Sequence, residues 1–180
     1  KTMKGMFSAA NYSSIKTLSG LEDWDVKNVT NMQSMFHAAQ GFGYSDATAK
    51  DCSALANWDV RNVTTMNYMF GGFRIEDYSC LADWDISSLT DFAYMFAHHW
   101  AVETDSERVI DLSSWDVSKV DFGRVGPFFN CKYLIEVESF KNISDTATYI
   151  GTDSNQCEML SVDSIMSFIN NLAEVNTTHI

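Results

Sequence analysis

One pattern, written several times along the chain, constrains the fold more than any other feature. In its clearest copy Leu55, Trp58, Asp59, Val60, Val63, Thr64, Met66, Met69 and Phe70 stand at set intervals. The same intervals recur in Leu21, Trp24, Asp25, Val26, Val29, Thr30, Met32, Met35 and Phe36. They recur again in Leu81, Trp84, Asp85, Ile86, Leu89, Thr90, Phe92, Met95 and Phe96. A fourth copy keeps Leu112, Trp115, Asp116, Val117 and Val120. Gly123 and Gly126 then fall where the methionines should be, and Phe128 and Phe129 are displaced by a residue or two. Met3, Met6 and Phe7 match Met32, Met35 and Phe36, so the chain is expected to start inside a copy, with residue 1 a cut.

A unit of this size cannot bury its own apolar side and must lay it against the next copy. Trp-to-Trp steps of 34, 26 and 31 residues show a constant segment joined by variable ones. The residues up to each Leu (Leu18–Leu21, Ser53–Leu55, Ile110–Leu112) read as a short strand bounded by polar turn residues. Val29, Met32, Met35 and Phe36 recur at three- and four-residue steps, which predicts a helix of about two turns, with Asn28 or Thr30 as its cap. The expected fold is therefore an α/β solenoid: short parallel strands on one side, short helices on the other, apolar layers between. Leu134–Phe140 reads as a last strand. Residues 161–174 read as an amphipathic capping helix, with Ser161 as its cap and Val162, Ile165, Met166, Ile169 and Leu172 as its stripe. The chain forms a single repeat domain over 1–180: a truncated repeat at 1–14, repeats over about 15–130, then a degenerate repeat and C-terminal helix over 131–180. Truncation at residue 158 is expected to expose the last layer and cause aggregation.

Composition narrows the function. With 46% hydrophobic residues and 13% aromatics, 180 residues can bury a sizeable core. A net charge of −12 and a pI near 4.5 speak against a general nucleic-acid binder, whose affinity comes from Lys and Arg on phosphates, and against attraction to an anionic membrane. No apolar run approaches the roughly 18–20 residues needed to span a bilayer. The four cysteines, Cys52, Cys80, Cys131 and Cys157, lack C-x-x-C spacing, so thiolate metal sites and thioredoxin-like chemistry find no motif. Cys52 and Cys80 precede the Leu of adjacent copies, but their offsets from the Trp differ by two residues, and buried free thiols are the expectation. Five N-x-S/T sequons, at Asn11, Asn28, Asn62, Asn142 and Asn176, are read as sequence coincidence, two of them belonging to the repeat itself.

Each regular position has a structural reading and a functional one. The methionines fall on the buried stripe and give way to Phe92, as core residues do, rather than forming a soft-metal surface. Trp24, Trp58, Trp84 and Trp115 read as stacked core or turn residues rather than a sugar platform. Asp25, Asp59, Asp85 and Asp116 could line up for calcium, yet calcium loops crowd several oxygen ligands into one short segment. Each Asp is instead expected to accept backbone N–H bonds in its turn. His98 and His99 with Glu103 and Asp105 lack metal-motif spacing. Catalytic signatures such as G-x-S-x-G and H-E-x-x-H do not occur, so the chain is read as no enzyme and as having no cofactor.

Recognition is expected in the joining segments 37–52, 71–79 and 97–109, which emerge at one point of successive copies. They carry Phe42, Tyr44, Phe73, Arg74, Tyr78, His99 and Trp100, residue types that anchor interfaces. The strand positions expected to face outward, among them Gly20, Ala54 and Ala82, are small. Net acidity points to a neutral or basic protein surface, or a glycan.

The spacing Leu-x-x-Trp-Asp-Val-x-x-Val-Thr-x-Met-x-x-Met-Phe resembles the BspA-like leucine-rich-repeat surface proteins, well over residues 1–122 and weakly over 123–150. The helix at 161–174 looks like the closing segments that follow such repeats in proteins of gut bacteria and their phages. The resemblance implies a leucine-rich-repeat-type solenoid at the cell surface, attaching to host proteins or cells, with no shared catalytic residues. Two functions follow as expectations. One is a non-catalytic extracellular binding or adhesion module recognising a protein or glycan on a cell surface. The other is a phage tail or virion-surface component serving structural attachment or host recognition. In both the segment inserts into no membrane and belongs to a longer chain with further domains.

Overall fold

The computed structural model describes residues 1–8, 17–37, 49–73, 75–97, 108–122, 126–129, 131, 134–138 and 140–143. Two backbone choices, repeated in each copy, build it. The first is a run of tight turns. Trp24, Trp58, Trp84 and Trp115 each donate their backbone N–H to the carbonyl of the Leu three residues earlier, and Val29, Val63, Leu89 and Val120 close the next turn in the same way. A third turn joins Met3 to Met6, Met32 to Met35, Met66 to Met69 and Phe92 to Met95.

The second choice is lateral pairing. Thr64 N–H donates to Thr30 O and Thr90 N–H to Thr64 O, while Met32 N–H reaches forward to Thr65 O and Met66 N–H to Asp91 O. Alternate residues thus bond to alternate neighbours, as in parallel strands. The pairing runs on through Ser34 to Asn67, Tyr68 to Ala93, Phe36 to Met69 and Phe70 to Met95. Thr2, Asn31, Thr65 and Asp91 are bridged in a parallel row.

This arrangement corrects the expected helix. Over Val29–Phe36 and its counterparts the backbone donors go sideways to the next copy instead of four residues back. Among the described residues there is no α-helix, only two three-residue 3₁₀ turns, Ser53–Leu55 and Ser79–Leu81. The α/β leucine-rich-repeat-type solenoid, with strands on one side and helices on the other, is therefore not the architecture found. The physical reason lies in the side chains before each turn. Thr2, Asn31, Thr65 and Asp91 each accept the backbone N–H two residues on, at 3.1, 2.9, 3.4 and 3.0 Å. Such local bonds compete with a helix. Three positions after these residues the backbone turns left-handed, at Gly5, Ser34, Tyr68 and Tyr94, with φ between 55° and 64°. No α-helix passes through that conformation. A chain of turns and a helix share an apolar spacing near three, so periodicity alone does not separate them.

Strands are few and short among the described residues. β1 (Ala49–Asp51) pairs in parallel with β2 (Ile75–Asp77), and β3 (Arg108–Asp111) pairs in parallel with β4 (Leu134–Glu138). β4 matches the expected last strand. Residues Ser53–Leu55, expected as strand, form a 3₁₀ turn just after β1, and Leu18–Leu21 is a turn. The expected capping helix at 161–174 lies outside the described residues.

The core runs the length of the stack. Phe7, Phe36, Phe70, Phe96 and Phe128 form one column of near-parallel rings at centroid steps of 5.3, 5.6, 6.3 and 5.5 Å. Each such contact adds about 0.5–1.5 kcal/mol beyond its buried area. Phe128 shows that the fourth copy, damaged in sequence, still continues the column, with Gly126 O and Pro127 O accepting from Tyr94 and Phe96. The tryptophans lock copy to copy: the indole N–H of Trp58 donates to Leu21 O at 2.9 Å, Trp84 to Leu55 O at 3.1 Å and Trp115 to Leu81 O at 2.9 Å.

Cys52 and Cys80 are joined in a disulfide, correcting the expectation of free thiols. Asp51 of β1 is aligned with Asp77 of β2, which would place Cys52 opposite Tyr78. The 3₁₀ turn at Ser79–Leu81 advances so little along the chain direction that Cys80 stays within 5.6 Å of Cys52, Cα to Cα. The two-residue offset is absorbed by that turn. Cys131 is buried, its sulfur directed at Phe96 O.

Candidate functional site

The position two residues after the first Met or Phe of each triplet is Gly5, then Ser34, then Tyr68, then Tyr94. A left-handed backbone there disfavours a side chain by roughly 1–2 kcal/mol, yet the two middle copies place tyrosines on it. Their rings stack at 4.3 Å with 10° between planes. His37 meets Tyr68 edge-on at 5.0 Å, and Phe129 meets Tyr94 edge-on at 5.4 Å. All four side chains are half-buried, leaving a continuous aromatic strip across four copies. Gly71 makes room for it: a Cβ there would stand 2.8 Å from the Tyr68 ring and 3.1 Å from His37.

Beside the strip lies a polar row. Thr65 Oγ1 donates to Asp91 Oδ2 at 3.2 Å, and Asn67 Nδ2 donates to Asp91 Oδ1 at 3.4 Å. Partial burial, and the Tyr94 phenol beside it, raise the Tyr68 pKa. The two phenols are hydrogen-bonded to one another along the stack. Flat aromatic area rimmed by fixed polar groups suits recognition rather than bond-making chemistry.

The Asp row has a structural occupation. Asp25, Asp59, Asp85 and Asp116 each accept, through Oδ1, the backbone N–H two residues on, at 3.3, 3.4, 3.0 and 3.0 Å. Asp25 also pairs with Lys27 and Asp59 with Arg61, while Asp116 accepts from Asn142. Among the described residues no group of three or more His, Cys, Asp or Glu could hold a metal ion, and no helix is long and apolar enough to cross a membrane.

Of the side chains named from sequence as recognition anchors, Phe73 and Tyr78 are buried in the core, with Phe73 on Phe36, Tyr78 against Phe70 and Phe96, and the Tyr78 hydroxyl donating to Phe73 O. They hold the joining segment down rather than displaying it. Phe42, Tyr44, Arg74, His99 and Trp100 lie outside the described residues, as do His98, Glu103 and Asp105 of the metal reading. Tyr68 and Tyr94 lie not in the joining segments where recognition was expected but within the copies. The available signal was inside them: a position held by Gly or Ser in two copies and by Tyr in the next two.

Turn-rich units paired side by side in parallel, with a continuous ring column, define a tandem-repeat protein whose copies share one interior. The chain belongs to the family described as "Mycoplasma protein of unknown function, DUF285", which it matches over residues 1–45 and 43–139. No curated protein and no solved structure matches the chain.

Proposed function

We propose that this chain is a non-catalytic binding module that acts outside the cell, attaching to a protein or glycan on a cell surface as the BspA-like surface proteins do. The observation that carries the reading is the half-exposed Tyr68–Tyr94 stack, held on left-handed backbone where glycine would be easier. Tyrosine is enriched at the energetic centres of interfaces because it offers wide, stiff contact area and a hydroxyl together. The Cys52–Cys80 disulfide supports a place in an oxidising compartment. The net charge of −12 favours a neutral or basic partner surface.

The test is retention of labelled protein on a glycan array and on immobilised extracellular-matrix proteins, beside an acidic control of similar size. Retention above the control on at least one surface is expected. It should fall by about 30-fold when Tyr68→Gly and Tyr94→Gly are combined, the loss typical of a hot spot. Glycine is the replacement because Gly5 already occupies the equivalent backbone. Retention no better than the control on every surface overturns the function; retention indifferent to both substitutions overturns the site.

A further inference from the structure

The tyrosine strip displays one part of each ring and hides another, and the hidden part limits what can bind. Tyr68 and Tyr94 stack on one another, so one face of each is spent inside the pair. The copies follow one another along the normal to those rings, which leaves one outer face on each. His37, from the copy before, stands edge-on over the outer face of Tyr68, and Phe129, from the copy after, over that of Tyr94. Centroid distances of 5.0 and 5.4 Å are those of direct edge-to-face contact, with no room for a ligand between.

The backbone beneath the rings is spent as well. Tyr68 N–H donates to Ala93 O and Tyr94 N–H to Gly126 O, while the two tyrosine carbonyls accept from Gly71 and Ala97. A partner strand added here would find no unpaired N–H or C=O on either tyrosine. A cation held over an aromatic ring needs a bare face, where the quadrupole is negative, and a sugar laid flat on an aromatic needs the same face. Half-exposed rings with covered faces present their edges, where the quadrupole is positive. They also present the phenol pair. Its internal hydrogen bond uses one hydroxyl proton and leaves the other to donate outward. The groups that complement a positive ring edge are another aromatic face and a methionine sulfur, and both are amino-acid side chains.

We infer that the strip recognises a protein surface by its ring edges: the partner lays an aromatic face or a methionine sulfur against Tyr68 and Tyr94 and accepts the outward phenol proton. The inference rests on the strip being the binding site proposed above, and it narrows the ligand to protein.

The test follows the ring protons of Tyr68 and Tyr94 by NMR in the intact chain during titration with four probes. These are N-acetyltryptophanamide, N-acetylmethioninamide, tetramethylammonium and chitohexaose. Saturable shifts are expected with the first two, upfield for the indole, and none with the cation or the sugar. Phe129→Ala uncovers one face of Tyr94 and should create a response to tetramethylammonium that the parent lacks. His37→Ala gives the same reading at Tyr68, so the test survives if one of the two variants fails to fold. A parent that responds to the cation or the sugar overturns the inference, as do rings indifferent to all four probes. Retention confined to the glycan array also overturns it, with the binding function left standing; retention on no surface removes the function itself.

Discussion

Asp59 illustrates how much of each copy depends on one carboxylate. It accepts Arg61 N–H within its turn and pairs with the Arg61 side chain at 2.7 Å. Asp59→Ala is expected to lower unfolding free energy by about 1–2 kcal/mol, the range for a lost cap or turn acceptor, with calcium giving no recovery; urea titration with and without the ion checks both. A large calcium-dependent rise in melting temperature of the parent would contradict it. Its counterparts add a pH dependence. Hydrogen bonds hold three carboxyls below the ordinary carboxylate range: from the Lys27 side chain and amide to Asp25, from the Ser87 hydroxyl and amide to Asp85, and from the Ser118 amide and hydroxyl to Asp116. A pKa lowered by folding adds stability that is present above the unfolded value and disappears as pH falls through the folded one. The three contributions are thus intact at neutral pH and lost on acidification below the ordinary carboxylate range. Asp85→Asn keeps an acceptor but no longer titrates, so it should flatten the acid limb of a melting-temperature profile. Asp85→Ala should lower the whole curve.

Among elements, the disulfide sets the largest local effect. It closes a span of 28 residues that starts just after β1, takes in the first 3₁₀ turn and β2, and ends within the second 3₁₀ turn. Chain-entropy arguments put such a closure at about 3–4 kcal/mol. Cys52→Ser with Cys80→Ser should therefore melt well below the parent, and the parent in dithiothreitol should match it. How much of this was legible in sequence depends on what each pattern measures. The positions of Trp58, Val60, Met66 and Phe70 told correctly which side chains would be buried and that copy would lie against copy, because burial depends on spacing alone. The helix was misread because spacing near three says nothing about where backbone donors go. That choice was made by Asn31, Thr65 and Asp91, which read as ordinary polar residues. The disulfide stayed hidden because counting residues assumes equal advance per residue, and a 3₁₀ turn breaks that assumption. Tyr68 and Tyr94 stay hidden because they sit inside the copies, whereas recognition was expected in the joining segments.

For the molecule as a whole, each copy touches mainly the copies beside it, so stability should be close to a sum over units and junctions. Deleting residues 59–84, which joins Trp58 directly to Asp85, removes one full period and should leave a folded chain of lower melting temperature, with Cys52→Ser added to remove the stranded thiol. Circular dichroism of the parent's shape with a single transition checks this; a spectrum of unfolded chain would show that cooperation extends beyond neighbours. The side-by-side pairing of the copies also governs how the molecule answers to force. Tension applied along the chain loads the rows between copies one bond at a time, so units peel away singly and the load is shed in small steps. The exception is the crosslinked pair of copies. Its 28-residue span withholds roughly 100 Å of chain from extension, at about 3.5 Å for each residue. Pulled from both ends, the chain lengthens outside this pair first and stops short at the crosslinked copies, one of which carries Tyr68.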